Sequence, residues 1–237
     1  MLSKNPRYSS YNELAEDMIP SNKPCVFVEG NNKLFYQDIA EFVNCFVRPG
    51  GSSNSIKEKI SRKLHDGKNN FIGIIDKDYF EHTRDLNIFI LDFYSIENVS
   101  LKFMPQFTSL RIQLTSFFND NELKNIQMFK LIGCGGFDKD KKKPKPFIID
   151  FSNAYDISLQ SYVENNIISL DSFFKYKNLK KTVENYVIHY KICNGKKEEI
   201  KHLEHLSEYL PDQSSINLFD TNMYNILDNT LQNIYIS

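Results

Sequence analysis

Three carboxylates stand where two apolar runs stop. Glu29 closes the run CVFVEG, and Asp76 and Asp78 close NFIGIIDKD. Acids gathered at one end of a sheet repel each other unless a cation neutralises them. Hard oxygen donors of this kind suit Mg²⁺ or Mn²⁺, which commonly use only one or two protein carboxylates and complete their shell with water and phosphate oxygens. A cation held this way activates a water and stabilises the charge that develops during phosphoryl transfer. Side chains alternate along a strand, so Asp76 and Asp78 reach one pocket if the strand continues through both. Taken singly, Glu29 or Asp76 is more often a solvated cap or a turn former. Found in this order among alternating strands and helices, they read as a site.

The elements that must position them follow from periodicity. Ser10 with Glu13 makes a capping box for a short first helix that Pro20 closes. CVFVEG is a buried strand ending in a turn, and Leu34, Phe35, Ile39, Phe42 and Val43 predict a helix after it. NCFVRPGG is a second strand, and Ile56, Ile60 and Leu64 mark one face of a helix over 55–64. NFIGIIDKD and NIFILD are continuous rather than alternating in hydrophobicity, as expected of strands buried on both faces of a parallel sheet. Strands interleaved with helices predict an α/β fold with right-handed crossovers, whose ligand site lies beyond the carboxyl ends of the strands. Glu29, Asp76, Asp78 and Asp92 all fall there.

Past Ser95, an expected N-cap for the helix IENVSLKF, helical spacing takes over, with phenylalanines at 103, 107, 117 and 118. Residues 147–151 read as one more strand, and 159–170, 179–192 and 198–210 as helices, with a weak helical pattern near Ile226, Leu227 and Leu231. The expected organisation is a lead-in over 1–23, an α/β domain over 24–103 and a mostly helical region over 104–237. The aromatic-rich helical half presents either a core or a homodimer interface, and periodicity does not separate the two.

Composition limits the classes. Twenty-nine basic residues face thirty acidic ones, for a net charge of −1, which excludes a histone-like polycation but not a local basic groove. Lys139, Lys141, Lys142, Lys143 and Lys145 make the densest basic cluster, within a proline-containing loop over 138–146. It reads equally as a solvated loop or as an arm for a nucleic-acid backbone or a partner. Cys25, Cys45, Cys134 and Cys193 are far apart and lack zinc spacing, so they are expected to be reduced. No basic-then-apolar leader and no membrane-length run stand out, so the cytoplasm is the expected compartment and no membrane is expected as a partner. Gly50-Gly51 lacks the surrounding P-loop pattern and reads as a turn. His202 and His205 share a predicted helix face without a third ligand in view.

VFVEG at 26–30 and IIDKD at 74–78 resemble the two halves of the Toprim motif, shared by topoisomerases, primases and OLD-type nucleases. More closely, VEGNNKLFY, the PGG after the second strand, IGIIDKDY and FILDFYSIEN resemble the DUF4435 family, which includes the Toprim effector subunit of PARIS-type anti-phage systems. The resemblance covers roughly residues 24–103, with a weaker echo in NGKKEEIKHL at 194–203. It implies a Toprim-like βαβα parallel-sheet domain and a Mg²⁺- or Mn²⁺-dependent endonuclease. Glu29, Asp76, Asp78 and Glu97 are then the catalytic and metal-binding acids, and Lys33, Lys77 and Lys196 meet phosphate or substrate. Asn32 and Lys77 stand where the family often has Asp and Arg. The implied substrate is nucleic acid, with RNA such as tRNA favoured over DNA. The implied partner is an ABC- or AAA-type ATPase that restrains the chain until infection. The competing readings are a DNA-cleaving OLD-type nuclease and a binding or regulatory module that keeps the fold without catalysis.

Overall fold

The apolar runs fold into the strands expected of them. The structure, a computed structural model, describes residues 18–30, 32–37, 39–79, 85–120, 128–132, 137–138, 140, 143–144, 148–154, 160–194 and 217–236. The expected first helix, the 198–210 helix with His202 and His205, Cys134 and most of the lysine cluster lie outside the described residues. The chain divides into two units, one made of 1–75, 84–89 and 221–237, the other of 76–83 and 90–220.

In the first unit, β1 (Cys25–Glu29) leads through the short α1 (Lys33–Gln37) and a 3-10 turn at Ala40–Phe42 to β2 (Phe46–Gly51). Helix α2 (Ser53–His65) then leads to β3 (Phe71–Ile75), and β4 (Ile88–Ile90) completes a four-stranded sheet in the order β2-β1-β3-β4. Strand β1 runs parallel to both β2 and β3, with Cys25 opposite Phe46 and Phe71. Cys25 to Val28 and Ile72, Ile74 and Ile75 are completely buried, as both-face coverage requires. Ser52 caps α2 by accepting from the Ser55 amide at 3.3 Å, and Ile56 and Ile60 are buried from this helix, which packs on β1, β2 and β3. The β1–β2 register shifts between Val28 and Glu29, so Glu29 sits at a bulge. Gly30, at φ +56°, then turns the chain and donates from its amide to the Gly51 carbonyl at 2.9 Å.

The second unit begins at Asp76. It continues with α3 (Ile96–Phe103), α4 (Thr108–Asp120), β5 (Met128–Ile132), the two-residue strands β6 (Phe137–Asp138) and β7 (Lys143–Pro144), and β8 (Ile148–Ala154). Helices α5 (Gln160–Asn166), α6 (Leu170–Tyr176) and α7 (Lys180–Asn194) follow, and α8 (Thr221–Ile236) belongs to the first unit. Helices prevail here, but two antiparallel strand pairs, β5-β8 and β6-β7, interrupt them. No strand is expected from the sequence over Met128–Ile132, because a five-residue apolar run such as MFKLI does not separate strand from helix by periodicity. The predicted 159–170 helix divides, because Ser169 and Ser172 form a reciprocal capping box that starts α6 afresh.

Buried polar groups tie the helices of the second unit. Asn98, wholly buried in α3, donates from Nδ2 to the carbonyls of Phe174 and Lys177, both at 2.8 Å. Ser95 precedes α3 as expected, but its Oγ donates to Asn98 Oδ1 at 3.1 Å instead of capping the helix. These bonds hold the end of α6 against α3 and so fix where α7 begins.

Gly73 lies in the middle of β3 because nothing larger fits. A Cβ there would run into Ile56 Cγ2 and lie 2.8 Å from Ile88 Cδ1. Gly73→Ala is therefore expected to lower stability by about 1–3 kcal/mol through overpacking. Urea unfolding measures this, and an unchanged midpoint would show that α2 and β4 yield freely.

Candidate functional site

Strand β3 ends at Ile75, so alternation along a strand does not bring Asp76 and Asp78 together. A turn does. The Lys77 and Asp78 amides donate to the carbonyls of Phe93 and Tyr94, at 3.3 and 3.2 Å, and Asp78 takes a left-handed φ of +45°. Asp tolerates that region better than most residues, and such conformations gather at functional sites.

Both carboxylates meet one cation. Lys180 Nζ, on the first residue of α7, lies 3.0 Å from Asp76 Oδ2 and 3.5 Å from Asp78 Oδ1. Its position is set from behind: the Asn178 amide donates to Tyr79 Oη at 2.6 Å, and the Lys180 amide donates to Asn178 Oδ1 at 3.3 Å. Asp76 is only 4% exposed, so its charge depends on that ammonium rather than on water. Burial pushes the Lys180 ammonium down, but Asp76, then Asp78 and Glu97, outweigh burial and raise it. Lys180 also lies over the Tyr94 ring, 5.3 Å from its centroid. The Tyr94 phenol is pushed up to about 12, first by burial and then by Asp78, with Asp76 and Glu97 adding. Tyr94 therefore stays protonated through neutral pH and is a hydrogen-bond donor, not a base.

Glu97 lies in the first turn of α3, and its charge bears on both Lys180 and Tyr94. Its Oε2 is buried with no hydrogen-bond partner among the described residues. Three acids thus act on a single ammonium. The donors are all carboxylate oxygens, the chemistry that suits a hard divalent cation. Among the described residues, no three His, Cys, Asp or Glu side chains converge tightly enough to enclose a metal ion as they stand. Lys180 is the cation seen against Asp76 and Asp78.

Asp92 is the other acid at a strand end, and it is already consumed. Lys175 Nζ and Tyr176 Oη each lie 2.7 Å from it, and Lys77 Nζ lies 3.4 Å away. Burial, the largest influence, pushes the Asp92 carboxyl up, but the bonds from Lys175 and Tyr176 and the charges of Lys175 and Lys77 outweigh it and hold the group below its usual value. Lys77 rests at 4.5 Å over the Tyr176 ring, beside its contact with Asp92.

Of the acids expected from the sequence, Asp76 and Asp78 meet at Lys180 in the second unit, and the charge of Glu97 bears on the same ammonium. Glu29, half-buried at its bulge, and Lys33, exposed on α1, belong to the first. Lys196 lies outside the described residues. Lys180 and Tyr94 are the members that motif reading misses, because Lys180 stands 104 residues from Asp76 in a run of lysines that reads as a solvated helix start. Comparison with protein-family models, with characterised proteins and with solved structures finds no match. No helix among the described residues is long and apolar enough to cross a membrane.

The Asp92 network carries a pH signature. A carboxyl depressed in the folded state adds stability above its unfolded value, about 3.9, and loses that contribution as pH falls through the folded value. Wild type is therefore expected to exceed Asp92→Asn in stability at neutral pH, with the gap shrinking as pH falls below about 4. Thermal melts of both chains from pH 7 to 3 check this. A gap independent of pH would remove the charge from the explanation.

Proposed function

We propose that this chain is a metal-dependent nuclease whose Asp76, Asp78 and Glu97 hold Mg²⁺ or Mn²⁺. The observation that carries the reading is the convergence of both DxD carboxylates on one cation beside the unsatisfied oxygen of Glu97. A divalent ion bound there would activate a water and offset charge building on a phosphoryl group. The acids would place the ion, and Tyr94 stays protonated beside them. Nucleic acid as substrate, RNA such as tRNA before DNA, rests on the Toprim and DUF4435 resemblance, as do the role of Glu29 and a restraining ATPase partner in anti-phage defence.

A second reading has one observation in its favour. Lys180 already neutralises the pair, as it would in a module that keeps the fold and binds a partner or nucleic acid without cutting. Incubating the purified chain with tRNA and with plasmid DNA, in Mg²⁺ or EDTA and with or without its ATPase partner, separates the two. The nuclease reading expects Mg²⁺-dependent cleavage that falls by at least about 100-fold in Asp76→Asn and in Glu29→Gln. Binding without cleavage in every arm would favour the module. Full activity in both variants would move the site elsewhere.

A further inference from the structure

Lys180 is more than a neighbour of the acidic pair. Its ammonium lies against one oxygen of each carboxylate, 3.0 Å from Asp76 Oδ2 and 3.5 Å from Asp78 Oδ1, and a carboxylate oxygen cannot serve both this cation and a divalent one at full strength. The two partners differ in freedom. The Asp76 side chain is 6% exposed and immobile by burial, whereas the Lys180 side chain is 35% exposed on a long stem that can swing toward solvent. The neighbouring lysines Lys77 and Lys175 pair with Asp92 instead.

We infer that Lys180 is a built-in counter-ion that holds the Asp76–Asp78 pair together without metal and is displaced when a divalent cation binds, so that it sets the metal affinity of the site. This rests on the metal-site reading above but not on cleavage. Without Lys180 the acids lose their resident cation, so metal binds more tightly while the metal-free chain becomes less stable. The ammonium thus sets a threshold: the site fills only where the divalent ion outcompetes a tethered lysine.

Mn²⁺ binding followed by electron paramagnetic resonance tests this on the full chain. Lys180→Gln is expected to bind at least about tenfold more tightly than wild type, whereas Lys180→Arg, which keeps the charge, does not tighten binding. Lys181→Gln removes an equal charge one residue on, where the ammonium pairs with Glu184 at 3.2 Å and the side chain is 79% exposed; it changes affinity by less than about twofold. Equal affinity in wild type and Lys180→Gln would overturn the inference and leave the metal site standing. No binding by either would overturn both. A measurement needing no variant uses chain labelled with ¹⁵N-lysine: the Lys180 Nζ signal is expected to shift on adding Mg²⁺ while that of Lys175 stays. A Lys180 signal unmoved at saturating Mg²⁺ would overturn the inference.

Discussion

The contact between the Lys180 ammonium and the Asp76 and Asp78 carboxylates is the interaction on which the second unit's chemistry depends. Two carboxylates drawn to one point repel by roughly a few kcal/mol at the effective dielectric of a protein surface, and burial of Asp76 removes the water that would screen them. The turn after β3 nevertheless brings them together, with Asp78 at a positive φ. A half-exposed cation makes that arrangement tolerable, and the rest of the unit is arranged to deliver it. Asn98 pins the end of α6, Tyr79 and Asn178 fix the connection, and α7 starts with Lys180 already in place.

The neighbouring Asp92 shows what a well-paired acid looks like in the same surroundings. It too ends an apolar run, yet two lysines and a tyrosine satisfy it. The charges of Asp76, Asp78 and Glu97 all bear on the Lys180 ammonium, and Glu97 Oε2 is buried without a hydrogen-bond partner among the described residues. That crowding of negative charge is what the proposed divalent cation would offset.

Much of the sheet was legible in the residues, because continuous apolar runs ending at acids can hardly do anything but form buried strands. CVFVE, FVRPGG, FIGII and IFI all appear as strands, and the α2 helix needs only its Ser52 cap and the Ile56 and Ile60 spacing. The pairing of Asp76 with Asp78 was also legible, although for the wrong local reason: a turn, not a continuing strand, brings them together. Lys180 was not legible, since its role depends on how α6 and α7 dock on α3, and no local pattern marks a lysine that will be drawn inward. Strand β5 was hidden for a related reason. Its apolar run gains strand identity only by pairing with β8, far along the chain.

The most direct measurement of the central claim is anomalous diffraction from crystals of the full chain soaked in Mn²⁺. The account predicts a Mn²⁺ peak between the carboxylates of Asp76 and Asp78, within reach of Glu97, and the Lys180 ammonium moved off the pair. A pair still bridged by Lys180, with no peak beside it at saturating Mn²⁺, would contradict it.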